Sequence, residues 1–141
     1  MGTSHDADVR PATGGDLVAV MRLLDAAVLE ADAAVVSDRI DEGAVLVADG
    51  DGRVVGALVL DADADTAHVD AVAVQTERRG RGIGSALVEA AAASVDGDLT
   101  AEFDERVRPF YESLGFDVSA ADENSENSDR TRLRGRLRGS R

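Results

Sequence analysis

The run "AVLVADGDGRVVGALVLD", residues 44–61, constrains the fold more than any other stretch. Two β-rich segments flank an Asp-Gly pair, which tolerates the positive φ angles of a tight reversal, so the run predicts a β-hairpin. After the polar "DADADT", "AHVDAVAV" alternates in period two and predicts a third antiparallel strand of a meander. Then the pattern changes. "QTERRGRGIGSAL", Gln75 to Leu87, is a glycine- and arginine-rich corner, and Ile83, Leu87, Val88 and Ala91 recur at helical spacing.

The flanks extend this mixture of strands and helices. "DVRPAT" predicts a short strand, and "GDLVAVMRLLDAAVLEADAA" a helix with Leu17, Val20, Met21, Leu24 and Val28 on one side. A second short helix is expected over Ala33–Ile40. Downstream, "GDLTAEF" reads as a strand and "DERVRPFYESLGF" as a short helix with Val107, Phe110, Tyr111 and Leu114 on one face. Pro109 is tolerable only in a first turn, which sets the start near Arg106, and Gly115 stops the helix. From Val118 the chain turns polar, "SAADENSENSD". The closing "TRLRGRLRGSR" alternates leucine with arginine and fits either a terminal edge strand or a disordered basic tail.

Composition narrows the chemistry. A chain of 141 residues is most simply one domain, and no apolar run approaches the ~18 residues of a membrane span. The amino terminus has neither the basic nor the apolar region of a secretory signal, so a cytoplasmic location is expected. With no cysteine, disulfides, thiolate metal sites and a cysteine nucleophile are excluded. All 15 basic residues are arginine, against 28 acids in which aspartate dominates, for a net charge of -13. Such a surface suits a protein kept soluble in concentrated salt, where carboxylate repulsion is screened. Residues 1–129 hold all the acids and nine arginines, whereas residues 130–141 hold six arginines and no acid. The acidic bulk and the scarcity of aromatic rings argue against nucleic acid as a partner.

The glycine-rich corner is an anion site in outline. A turn from strand into helix leaves the first N–H groups of the helix unpaired, at the positive end of its dipole. Gly80, Gly82 and Gly84 remove Cβ atoms there, while Arg78, Arg79 and Arg81 add charge, as a phosphate or pyrophosphate would need. A Walker A loop would require a lysine, which the chain lacks. A dinucleotide fingerprint would require glycine at Ser85 and a preceding first strand rather than a meander.

"VAVQTERRGRGIGSALVEAA" resembles the acyl-CoA-binding motif of the GNAT superfamily of N-acyltransferases, with Arg79, Gly82 and Gly84 at the patterned positions. "FYESLGF", Phe110 to Phe116, is similar to a second segment of that family. The resemblance covers Val9 to Phe116, and it sets a single acyltransferase domain over residues 1–117, with 118–141 as a polar linker and the arginine-rich segment. It implies an α+β fold: a strongly twisted, mostly antiparallel mixed sheet flanked by helices and splayed between the "AHVDAVAV" and "LTAEF" strands. It further implies acetyl-CoA as co-substrate, no metal, and transfer to a primary amine of a small molecule or peptide by direct attack. By the same carry-over Val72 and Val74 lie along the pantetheine arm, and Arg79, Gly80, Arg81, Gly82, Ile83, Gly84 and Ser85 form the pyrophosphate cradle. Asp104 stands where many relatives have a cofactor-binding asparagine.

For the chemistry, Tyr111, the one tyrosine in the chain, matches the acid that meets the departing thiolate in many relatives. A base is also needed, because an alkylammonium near pKa ~10.4 must lose a proton before it can attack. His68 aligns with a glutamate base of some relatives, Asp70 lies two residues on, and Glu102 sits on the neighbouring strand. Strict alternation would put His68, Asp70, Val72 and Val74 on one face. A non-catalytic acyl-CoA-binding module is the alternative to an enzyme, and the Arg/Leu strand could pair two subunits.

Overall fold

The computed structural model describes residues 8–26, 31–50, 52–62, 66–75, 82–95, 97–120 and 132–138. The Asp-Gly reversal forms as its chemistry allows: β2 (Val45–Gly50) turns through Gly52, at φ 83°, into β3 (Arg53–Ala62). Antiparallel pairing continues on both sides, with β1 (Asp8–Pro11) against β2 and β4 (Thr66–Val74) against β3. Next, β5 (Asp98–Asp104) joins β4 in parallel, the one parallel pairing among the described strands. The remaining strands are β6 (Asp117–Ala120) and β7 (Arg132–Leu137), and the sheet order is β1-β2-β3-β4-β5-β7-β6.

Two helices cover each face. On one side lie α1 (Leu17–Ala26) and α2 (Ala33–Asp41), the latter capped by the Asp32 carboxylate, which accepts from the Ala34 N–H at 2.8 Å. Val20, Leu23, Leu24, Val36 and Ile40 meet Val45, Val47, Ala57 and Val59 there. The long first helix expected from periodicity is described only to Ala26, and residues 27–30 lie outside the described residues. On the other side α3 (Ile83–Ser94) and α4 (Arg108–Ser113) bury Ile83, Leu87, Val88, Ala91 and Tyr111 against Leu46, Leu58, Leu60, Leu99 and Phe103. A 3-10 turn, Glu105–Val107, leads into α4, so Pro109 falls in the first helical turn, and Gly115 closes the helix at φ 95°. The close seat of α3 depends on Gly56: a Cβ there would lie 3.0 Å from Ile83 Cγ2 and 3.2 Å from Leu87 Cδ1.

Two expectations need correction. The Arg/Leu segment is a strand but not an edge strand: β7 inserts between β5 and β6, and β6 holds the edge. Leu133 is buried with the α3/α4 core, Gly135 leaves room for the rings of Phe103 and Phe116, and Arg134 and Arg136 pair with Glu102 and Asp98 of β5. Alternation thus supplies one apolar face and one face complementary to the acids of β5. The intervening residues 121–131 lie outside the described residues. Strict alternation along β4 also fails. Val59 faces Ala71 while Leu60 faces Val69, which leaves Asp70 as the extra residue of a β-bulge. Parity inverts there, so Ala67, Val69, Val72 and Val74 all meet the α3/α4 core, and Ala71 and Ala73 meet the α1/α2 core.

Candidate active site

β4 and β5 are hydrogen-bonded partners over only four positions, from Thr66–Asp98 to Val69–Ala101. Beyond them β4 follows β3 to Val74 and β5 follows β7 to Asp104, so the two strands part at the bulge. A parted parallel pair exposes strand edge inside a sheet, where an extended ligand can add its own amide groups. Val72 and Val74 lie on this stretch.

The open end of the gap leads to the start of α3. Gly82 caps the helix at φ 83°, the left-handed region that favours glycine, and its carbonyl accepts the first helical bond from the Ala86 N–H at 2.9 Å. The N–H groups of Ile83, Gly84 and Ser85 precede that bond and point out of the helix. The Ile83 side chain is buried in the core, so only its backbone can serve an anion. Gly84 has a packing role: a Cβ there would meet the Phe110 ring at 3.5 Å and Val74 Cγ2 at 3.9 Å, which ties strand end, helix start and α4 together. Arg79, Gly80 and Arg81 lie outside the described residues. Asp104 caps the 3-10 turn, its carboxylate accepting from the Arg106 N–H at 2.9 Å.

Tyr111 closes the α3/α4 side. Its ring stacks on Phe103 with centroids 4.1 Å apart and meets Phe110 and Phe116 edge-on at 4.9 and 5.2 Å. Burial pushes its phenol up to about 12, so the hydroxyl keeps its proton throughout the neutral range. That hydroxyl has no hydrogen-bond partner among the described residues, yet none of their buried side-chain oxygens is sealed off unpaired.

The three candidate bases separate. On the sheet face opposite Tyr111, beside the α1/α2 layer, a groove of about 500 Å³ is lined by His68, Thr100 and Glu102, with arginines of β7 across from them. His68 Nδ1 lies 2.8 Å from Thr100 Oγ1, and that hydroxyl is 3.4 Å from the Ala67 carbonyl. If Thr100 donates to Ala67 it accepts from His68 Nδ1–H, and the Nε2 lone pair is left toward the groove. Glu102 accepts from Arg134 at 2.9 Å. Asp70 is outside this group: its carboxylate takes a 2.8 Å bond from Arg39, which also donates to the Leu60 carbonyl at 2.8 Å and so fastens α2 to the bulge. His68 and Glu102 are therefore brought together, whereas Asp70 pairs with Arg39 of α2.

Thr100 and the arginines of β7 escaped the sequence reading. Thr100 is next but one to Glu102 on the same strand, so period two alone would have placed it on that face. The arginines needed the strand order. Among the described residues no three His, Asp or Glu side chains gather to hold a metal.

No curated protein sequence matches the chain. Solved structures do match in shape. An acetyltransferase of the GNAT family from Bacillus cereus ATCC 10987 superposes with TM-score 0.82 at 19% identity, covering 96% of this chain and 99% of that one. The ribosomal-protein-S18-alanine N-acetyltransferase of Escherichia coli gives 0.78 at 16% identity, covering 96% and 95%. yncA of Salmonella typhimurium, solved with its cofactor acetyl-CoA, gives 0.75 at 19%, covering 95% and 94%. At these identities the likeness shows the fold. The Acetyltransferase (GNAT) domain family matches residues 41–118, more than half of the sequence and the span that carries the parted strands, the α3 turn and Tyr111, and the chain belongs to that family.

Proposed function

We propose that the protein is an acetyl-CoA-dependent N-acetyltransferase that acts on a primary amine by direct attack in a ternary complex. The observation that carries this reading is the parting of β4 and β5 with Tyr111 on one face of the gap and His68 with Thr100 on the other. The residues suit acetyl-CoA: an exposed strand edge for pantetheine, a glycine-capped helix start for pyrophosphate, and a phenol beside the route between them. When bound, acetyl-CoA supplies an activated acetyl thioester.

The chain's own groups then have distinct tasks. Val72 and Val74 line the gap, and the N–H groups of Ile83, Gly84 and Ser85, with Arg79, Gly80 and Arg81 before them, neutralise phosphate charge. His68, oriented by Thr100, takes the proton that the amine loses as its N–C bond forms and the C–S bond breaks. Tyr111 directs its O–H at the departing sulfur. With its phenol near 12, this group acts by donating a strong hydrogen bond rather than by giving up its proton early.

Tyr111→Phe keeps the ring stack and removes only the hydroxyl. It is expected to lower kcat by ~10- to 100-fold with the Kd for acetyl-CoA within about twofold. His68→Gln should lower kcat by ~100-fold with the same unchanged affinity. Thiol release across a broad amine panel checks both. Tight acetyl-CoA binding with no transfer to any amine would replace this reading with that of a non-catalytic acyl-CoA-binding module.

A further inference from the structure

Resting on the acetyltransferase reading, we infer that the groove beside His68 takes a small amine that also carries a carboxylate, an amino-acid-like acceptor, with the carboxylate held by Arg136 and Arg138. The sheet register supports this directly. His68 faces Thr100, Thr100 faces Arg136, and Arg136 faces Asp117, so the four form one row across β4, β5, β7 and β6. Neighbouring strands are ~4.8 Å apart, which sets the backbones of His68 and Arg136 ~10 Å from each other. The side chains of His68, Thr100 and Arg136 stand on the same face of the sheet, so an amine beside His68 and a carboxylate beside the β7 arginines can belong to one short carbon chain lying over that row.

Charge favours the same class. The chain as a whole is strongly acidic, but three guanidiniums line this groove, two of them tied to acids of β5, Arg134 to Glu102 and Arg136 to Asp98, with Asp117 the further carboxylate on the lining. Arg136 is anchored through Nε to Asp98 at 3.0 Å, and a guanidinium so anchored keeps its terminal N–H groups for a second acceptor. Arg138 is exposed and has no acidic partner among the described residues. A carboxylate entering here would find the terminal N–H groups of Arg136 and the exposed Arg138 guanidinium, with its amine directed at His68.

The test compares glycine, β-alanine and 4-aminobutyrate with their amides and with simple alkylamines as acceptors, using the full chain and acetyl-CoA. A kcat/KM at least ~10-fold higher for the carboxylates than for the matched amides is expected, and Arg138→Gln should reduce that ratio ~10-fold by raising KM, as loss of one charge-assisted contact does. Equal or better use of the amides, or an Arg138→Gln effect identical on both, overturns the inference and leaves the acetyltransferase reading standing. Short peptides with an acidic second residue distinguish a free amino acid from a chain terminus: preference for the peptides overturns the small acceptor. Calorimetric titration of the same amino acids into protein saturated with CoA needs no turnover. Binding that Arg138→Gln weakens ~10-fold supports the inference even if transfer fails, and no binding overturns it.

Discussion

Arg10 shows how much a single side chain can organise near an edge of this sheet. It donates to both oxygens of Asp16 and of Asp49, joining β1, β2 and the turn before α1. Asp16 accepts from the Thr13 N–H as well, and the Arg10 guanidinium, then that N–H, lower its carboxyl from 3.8 to about 2. The folded form therefore prefers the ionised acid. Its contribution is complete above pH ~4 and is lost as pH falls toward about 2. Asp16→Asn should cost on the order of 1 kcal/mol at pH 7, after allowance for solvent around this partly exposed pair, a cost that shrinks below pH ~4 and vanishes only as pH falls through about 2. Urea midpoints of both proteins across that range measure the difference. Residues of this kind are poorly legible in sequence: nothing local marks Arg10, whose partners lie 6 and 39 positions away. Tyr111 was legible because it is the one tyrosine and stands within a motif.

Strands and helices were legible wherever period and punctuation agreed, as in the hairpin at Asp-Gly, the α3 turn at Gly82 and the α4 stop at Gly115. Alternation failed at Asp70 for a specific reason. A bulge adds one residue without altering composition, and its partner strand is needed to see it. That one residue moved His68 to the face opposite Val72 and Val74, which in the proposed function are the acceptor side and the cofactor side. The β7 segment was ambiguous because six residues with two leucines are a weak signal until β5 supplies acids and aromatic rings to complement them. Gly135 is the sensitive point: a Cβ would come within 3.1 Å of both Phe103 and Phe116, the rings around Tyr111. Gly135→Val is expected to lower stability by ~1–3 kcal/mol, read as a drop in Tm, and to lower kcat more than the KM for acetyl-CoA.

At the scale of the whole molecule, charge and connectivity set the behaviour. A net charge of -13 on 141 residues repels itself in dilute buffer, and the described ion pairs are mostly at the surface, where each contributes little. Thermal unfolding is therefore expected to shift upward as KCl rises from 0.1 M into the molar range, and full stability without added salt would refute this account of the acid-rich surface. No helix of the described residues is long and apolar enough to cross a membrane. The place of β7 also has a consequence for biosynthesis. Every other described element precedes it in the chain, yet it lies between β5 and β6, so a nascent chain lacking these residues has an open edge along β5 and no β5 contact for β6. The sheet closes, and Phe103 and Phe116 acquire their cover, only when the arginine-rich strand emerges from the ribosome. The packing around Tyr111 is thus completed only with that strand, and translation arrested before it is expected to yield an aggregation-prone fragment with β5 uncovered.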